Sequence, residues 1–116
     1  MSLNDYSDAV HEVCLEAGWW PGPGCYSNEL IGTKVALIHS EVSEMLEGIR
    51  KGLPDDHLPD RDMAEVEAAD VLIRLFDLAG ALNWDLEGAY HAKMAYNATR
   101  ADHKPEARAA DGGKKF

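Results

Sequence analysis

EAADVLIRLFDLA, residues 67–79, is the stretch of sequence that decides the fold. At about 100° per residue its charged side chains fall on one narrow stripe of a helix, and apolar residues fill the rest of the circumference. A surface helix normally carries a broad polar face. The narrow stripe therefore predicts a helix that is buried on most sides, inside the domain or against another subunit. The charged residues of this polar seam are Glu67, Asp70, Arg74 and Asp77.

Three further helices are predicted around this one, which gives an all-α fold class and a four-helix bundle. The run GWWPGPG at 18–24 ends the first helix, and Gly52 followed by Pro54 ends the second. The helical domain is expected to occupy residues 1–102, with 103–116 as a loose tail. The predicted helices run from a cap at Asn4 or Asp5 to about Ala17, from Ser27 or Asn28 to about Lys51, from a cap at Asp60 to Asn83, and from a cap at Asp85 to about Arg100 or Asp102.

Length and charge limit the functions that this chain can have. A chain of 116 residues supports one domain with a small core, so self-association is expected to add to its stability. A formal net charge of −10 argues against binding to a nucleic acid polymer. An acidic protein that binds a triphosphate needs a divalent cation between the two sets of anions. Signal-peptide features and long apolar runs are lacking, so the expected location is the cytoplasm. Cys14 and Cys25 are expected as two buried thiols, with a single disulfide as the alternative.

Two acidic pairs lie on neighbouring predicted helices, Glu41-x-x-Glu44 on the second and Glu67-x-x-Asp70 on the third. Residues three apart project from one side of a helix, and a short loop makes the helices antiparallel neighbours, so the four carboxylates can converge. Carboxylates about 5 Å apart repel by roughly 3 kcal/mol at an effective dielectric near 20, which favours a bound cation. Oxygen ligands alone indicate Mg²⁺, with Mn²⁺ as the second choice. The alternative is four solvated surface carboxylates.

Basic and amide side chains offer contacts for phosphate. Lys93, Asn97 and Arg100 are spaced i, i+4 and i+7, so they share one face of the fourth helix. They could hold phosphate oxygens or pair with acidic neighbours on the surface. Lys34 lies two turns before Glu41 and has the same two interpretations, a phosphate contact or a partner for that glutamate.

Two aromatic residues and one acid have weaker assignments. Trp19 and Trp20 lie beside the Pro/Gly run, where they could stack on a nucleobase, although core or interface packing is the more common role of such a pair. Asp77 could orient the metal ligands without binding the metal itself, or it could contact the substrate. It could equally form an internal ion pair with Arg74 that satisfies the polar seam.

The order of these motifs resembles the all-α nucleoside triphosphate (NTP) pyrophosphohydrolase superfamily, which includes MazG proteins, dimeric dUTPases, dCTP pyrophosphatases and phosphoribosyl-ATP pyrophosphohydrolase. The resemblance covers about residues 28–101. The motifs that carry it are, in order, Lys34, Glu41-x-x-Glu44, Glu67-x-x-Asp70 and Lys93-x-x-x-Asn97-x-x-Arg100.

The resemblance implies a MazG-like bundle that cuts an NTP or dNTP to its monophosphate and pyrophosphate. Glu41, Glu44, Glu67 and Asp70 would then be Mg²⁺ ligands, and Lys93, Asn97 and Arg100 would contact the phosphates. Glu41 or Glu44 would help to deprotonate the attacking water. Family members form dimers or tetramers, so a homo-oligomer is expected. Two other functions stay open: phosphoribosyl-ATP hydrolysis, and a non-catalytic helical module that dimerises through the third helix and binds protein partners.

Overall fold

The computed structural model describes residues 1–100, 102 and 104–116. Every regular element in this part of the chain is helical, which confirms the all-α fold class. Clustering of contacts divides the chain into two compact units, residues 1–84 and 85–116. No helix among the described residues is long and apolar enough to cross a membrane. The helices are α1 (Leu3–Glu16), α2 (Asn28–Lys51), α3 (Met63–Ala81), α4 (Leu86–Thr99) and α5 (Pro105–Ala109).

Local capping interactions set the bounds of α2 and α4 where the sequence predicts them. Ser27 caps α2 by accepting a hydrogen bond from Leu30 N, and Gly52 ends it in the left-handed conformation that glycine tolerates. Asp85 caps α4 in the same way, with Gly88 N as the donor.

The starts of α1 and α3 differ from the prediction. Ser2 caps α1 and forms a reciprocal capping box with Asp5, so the predicted cap at Asn4 or Asp5 is wrong. α3 starts at Met63 after Asp62, two residues later than a cap at Asp60 would give. The reason is the preceding loop, which is held in a turn as far as Asp62 by an isolated antiparallel bridge.

The second unit contains α4 and the short α5. α5 lies in the segment 103–116, for which the sequence predicts a loose tail. The predicted domain boundary between 102 and 103 falls beside Ala101 and His103, which lie outside the described residues.

In the first unit α3 is the central helix, because it packs against both α1 and α2. α2 and α3 are antiparallel: Gly48 approaches Ala64, while Glu41 bonds to Arg74 further along α3. The core joins Trp20, after α1, to the C-terminal half of α3, where Leu78, Ala79 and Ala81 are buried. Burial of the second half of this helix is therefore confirmed only at its end, since Leu72 and Ile73 are about half exposed within the single chain.

Candidate metal-binding cleft

Three carboxylates from facing helices converge at the middle of the α2–α3 contact. Glu41 comes from α2, and Glu67 and Asp70 come from the polar seam of α3. One oxygen of each lies within 4.8 Å of one oxygen of the other two, and all three side chains are partly buried. Carboxylate oxygens at this separation can reach one small divalent cation after modest side-chain rotation, because Mg²⁺ and Ca²⁺ take oxygen ligands at about 2.0–2.6 Å. We call these three residues the acidic cluster.

One arginine partly offsets the charge of the acidic cluster. Arg74 Nε donates a hydrogen bond of 3.0 Å to Glu41 Oε1, and the Glu41 side chain is only 15% exposed. The positive charge of Arg74 is thus set against three carboxylates. A hydrogen bond with Glu41 raises the pKa of Glu67 to about 7, and burial and the charges of Glu41, Asp70 and Asp55 act in the same direction. Without a metal, a proton relieves the repulsion between Glu41 and Glu67.

Glu44 is not among the three converging residues. It lies one turn beyond Glu41 on α2 with an exposed side chain. The sequence spacing places Glu44 near the face of α2 that carries Glu41. The carboxylates that meet between α2 and α3 are nevertheless those of Glu41, Glu67 and Asp70.

A cleft of about 420 Å³ adjoins the acidic cluster, a volume in the range of small-molecule sites. Its lining combines apolar residues, among them Trp19, Leu37 and Ile73, with acidic and basic ones. Lys34, which also lines the cleft, donates a hydrogen bond of 2.8 Å to the Trp19 carbonyl. The full lining is Cys14, Trp19, Lys34, Leu37, Glu41, Asp70, Ile73, Arg74 and Asp77.

The far end of the polar seam is held by hydrogen bonds. Asp77, 7% exposed, accepts from His11 Nδ1 at 2.8 Å and from Trp20 Nε1 at 2.9 Å. The predicted alternative of an Asp77–Arg74 pair is wrong, since Arg74 bonds to Glu41. Burial, followed by the negative charge of Asp77, also raises the pKa of Cys14. Cys14 and Cys25 are both free thiols as expected, but Cys14 is only partly buried and Cys25 is exposed, so the predicted burial of Cys25 is wrong.

The two tryptophans have different environments. Trp20 is 4% exposed and packs against His11 and Tyr26, so its ring is part of the core. Lys34 Nζ lies 4.4 Å from the centre of that ring. Trp19 is 69% exposed and lines the cleft. Of the pair, Trp19 alone presents a ring that a ligand could reach, and base stacking by Trp19 stays a prediction.

The predicted phosphate contacts of α4 belong to the second unit. Arg100 binds Asp102 through two hydrogen bonds, which raise the pKa of the arginine and lower that of the aspartate. Lys93 Nζ lies 4.8 Å from the ring centre of Tyr96. Within the described residues, Asn97 Oδ1 is a buried oxygen that accepts no hydrogen bond. The role of Lys93, Asn97 and Arg100 in phosphate binding stays a prediction.

Two residues near the cleft were not identified from the sequence. Asp55, 6% exposed, lies in the loop before α3 and contributes to the raised pKa of Glu67. The run Pro54-Asp55 is a recognisable turn signal, but nothing local indicates that the side chain is buried. His11 is 66 residues from its partner Asp77, and no spacing rule links them.

Comparisons of the chain with protein-family models, with curated proteins and with solved structures found no match.

Proposed function

We propose that this protein is a Mg²⁺-dependent nucleoside triphosphate pyrophosphohydrolase that converts an NTP or dNTP to its monophosphate and pyrophosphate. The observation that carries the proposal is the convergence of Glu41, Glu67 and Asp70 beside a cleft of nucleotide-compatible volume. The order of the acidic and basic motifs, which resembles the all-α NTP pyrophosphohydrolases, supplies the reaction.

The donor set fits a hard divalent cation. The ligand atoms of the acidic cluster are all carboxylate oxygens, which suit Mg²⁺ and also Mn²⁺. A hydrogen bond with Glu41 raises the pKa of Glu67 to about 7, which reflects the repulsion that a bound cation would relieve. A bound Mg²⁺ would neutralise charge on the triphosphate and orient it for hydrolysis.

The side chains of the cleft divide the remaining work. Glu41, Glu67 and Asp70 would hold the cation, and Arg74 fixes the Glu41 carboxylate by its hydrogen bond. Glu41 or Glu44 would accept a proton from the attacking water: Glu41 lines the cleft but already accepts a hydrogen bond from Arg74, and Glu44 is exposed one turn further along α2. Lys34 lines the cleft and would exchange its hydrogen bond to the Trp19 carbonyl for one to a phosphate oxygen.

The resemblance to the all-α NTP pyrophosphohydrolases assigns Lys93, Asn97 and Arg100 of α4 to phosphate oxygens, which two cations and an amide N–H group can hold. Arg100 would have to exchange its bonds to Asp102 for bonds to phosphate. A guanidinium binds both anions through the same fork of N–H groups, so this exchange preserves its hydrogen bonding.

A nucleotide screen tests the activity. The purified protein is incubated with each common NTP and dNTP and with phosphoribosyl-ATP, in Mg²⁺ or with EDTA, and released pyrophosphate is measured. We expect Mg²⁺-dependent release from at least one of these nucleotides. Asp70→Asn should abolish the release while the helical circular dichroism is retained, and Glu65→Gln, an exposed change on the same helix, should leave it unchanged. Absence of release from every nucleotide would refute the proposal.

We further propose that the chain forms a homodimer or homotetramer. An apolar stripe on α2, each of its side chains 40–66% exposed, gives a surface for a second copy, because the spacings of seven, four and three residues place its members within about 60° of one another. The stripe consists of Val35, Val42, Leu46 and Ile49.

Light scattering after size exclusion tests the assembly. The double change Leu46→Lys and Ile49→Lys should give a monomer, and Ser43→Lys, which adds a lysine on another exposed part of α2, should not. A monomeric wild-type protein at micromolar concentration would contradict self-association and would leave the nucleotide screen as an independent test of the activity.

A further inference from the structure

Asp55 is a buried acid that the proposed reaction does not use. Only 6% of the residue is exposed, although it lies in the loop between α2 and α3. Its Oδ2 accepts hydrogen bonds from the main-chain N–H groups of His57, at 3.0 Å, and Leu58, at 2.9 Å. Its own N–H donates to the carbonyl of Arg61. Burying a carboxylate is costly unless it is bonded in this way, so the turn and the side chain depend on each other.

The turn centred on Asp55 closes the connection between the two acidic helices. Next to it, Met63 N donates to the carbonyl of Leu53 at 3.0 Å, so the end of the α2 segment is tied to the first residue of α3. A few residues back on α2, Gly48 packs against the main chain of Ala64, and a Cβ there would lie 2.8 Å from Ala64 N. These contacts fix α3 along α2 at one end of their interface.

The position of α3 along α2 determines whether the acidic cluster forms. Glu67 lies one turn into α3 from Met63, and Asp70 follows one turn later. A slip of one residue moves a helical side chain by 1.5 Å along the axis and by about 100° around it. Such a slip would take Glu67 and Asp70 away from Glu41. Mg²⁺ requires near-octahedral ligands at 2.0–2.1 Å, so a smaller displacement already weakens binding.

We propose that Asp55 is a positioning residue for the metal site, which sets the register of α2 and α3 through its hydrogen bonds to the loop. The inference rests on the proposed Mg²⁺ site. It assigns to Asp55 no direct contact with the metal.

Mg²⁺ titration by calorimetry, at a temperature where every variant is folded, tests the proposal. Asp55→Ala removes the acceptor and should weaken Mg²⁺ binding about tenfold or more, the loss typical of residues that orient metal ligands. Asp55→Asn keeps an oxygen acceptor and should bind within about threefold of the wild type. Asp55→Glu keeps the charge but moves it by one methylene, so it should resemble Asp55→Ala. The neighbouring, exposed Asp56→Ala should have no effect.

A control for stability separates positioning from general weakening of the fold. Ser27→Ala removes the cap of α2, at a cost of about 1 kcal/mol, far along the chain from the loop. It should lower the midpoint of urea unfolding without changing Mg²⁺ affinity. Hydrogen exchange of the His57 and Leu58 amides gives a readout without metal: both should be protected in the wild type and in Asp55→Asn and unprotected in Asp55→Ala and Asp55→Glu.

Two results would overturn the inference. The first is wild-type Mg²⁺ affinity in Asp55→Glu together with unprotected His57 and Leu58 amides, because the turn would then be dispensable for the site. If Asp55→Ala does not fold, Asp55→Glu and Asp55→Asn still decide the question. The second is a wild-type protein that binds no Mg²⁺, which removes the proposed site itself. The exchange measurement distinguishes the two, since it reports on the turn whether or not metal binds.

Discussion

The two ends of the polar seam of α3 differ in how many hydrogen-bond donors their carboxylates have. At the far end a single carboxylate, that of Asp77, receives two ring N–H groups from His11 and Trp20. At the near end three carboxylates meet, and one guanidinium, that of Arg74, bonds to one of them. Both ends lie on the same helix, within about three turns of each other. The number of hydrogen-bond donors per carboxylate is therefore much higher at Asp77 than at the acidic cluster.

This difference separates a structural polar group from a ligand-binding one. A buried carboxylate with enough donors stabilises one arrangement of its neighbours and needs nothing from solution. Carboxylates that outnumber their donors need a proton or a cation. The raised pKa of Glu67 means that, without a cation, this carboxylate takes up a proton more readily than an isolated glutamate does. Changes at the Asp77 end should thus affect folding, and changes at the acidic cluster should affect Mg²⁺.

The largest effect is expected at the satisfied end. Asp77→Ala leaves the ring nitrogens of His11 and Trp20 without their acceptor in the core, and unfolding in urea should show a loss of about 3 kcal/mol. Asp8→Ala removes an exposed acid from α1 and should change the stability by less than about 0.5 kcal/mol. The loss in Asp77→Ala should be the same with and without Mg²⁺. A loss that Mg²⁺ reverses would mean that Asp77 belongs to the metal site.

A second change acts on the contact between α2 and α3 near the loop that connects them. Gly48→Ala places a Cβ 2.8 Å from Ala64 N, so α2 and α3 must move apart, at a cost of about 1–3 kcal/mol that exceeds the gain in helix propensity. Gly32→Ala lies on the same helix in open space and should stabilise the protein by up to about 1 kcal/mol. Urea unfolding should give opposite signs for the two variants. Equal signs would show that the close contact at Gly48 does not hold the helices together.

A third change removes acid from the crowded end. Glu67→Gln relieves repulsion with Glu41, so the metal-free protein should keep its stability to within about 1 kcal/mol. The rise in melting temperature that Mg²⁺ gives the wild type should be largely lost, because a neutral amide is a poor substitute for a carboxylate ligand. Glu65→Gln breaks only an exposed pair with Arg61 and should keep the full Mg²⁺ response. Equal responses in the two variants would remove Glu67 from the set of ligands.

The sequence predicts those parts of the fold that are decided within a few residues. The caps at Ser27 and Asp85 and the end at Gly52 each depend on bonds across three or four residues, and all are found as predicted. The start of α3 depends on a turn whose key side chain, Asp55, is buried by tertiary packing. No local pattern contains that information, so a cap at Asp60 was the natural but wrong expectation.

The candidate site also has a part that the sequence predicts and a part that it does not. Helical spacing brings Glu67 and Asp70 to one face, and the short connection brings α2 alongside, which together predict their meeting with Glu41. Spacing cannot show how far each helix is rotated about its axis. Because of that rotation, Glu44 is exposed, and Arg74 donates its hydrogen bond to Glu41 rather than to Asp77. The bonds of His11 and Trp20 to Asp77 join distant segments, and no sequence pattern indicates them.

The smallest effect concerns pH in the absence of metal. The pKa of Glu67 is raised from 4.5 to about 7 in the folded protein, so between these values the folded state holds a proton that the unfolded chain has released. Stability must then fall as pH rises from about 5 to 7.5, by about 1 kcal/mol after allowance for solvent screening. Urea unfolding in EDTA should show this decline in the wild type and a smaller one in Glu67→Gln. Adding Mg²⁺ should reverse it at pH 7.5, where the proton has gone and the cation takes its place.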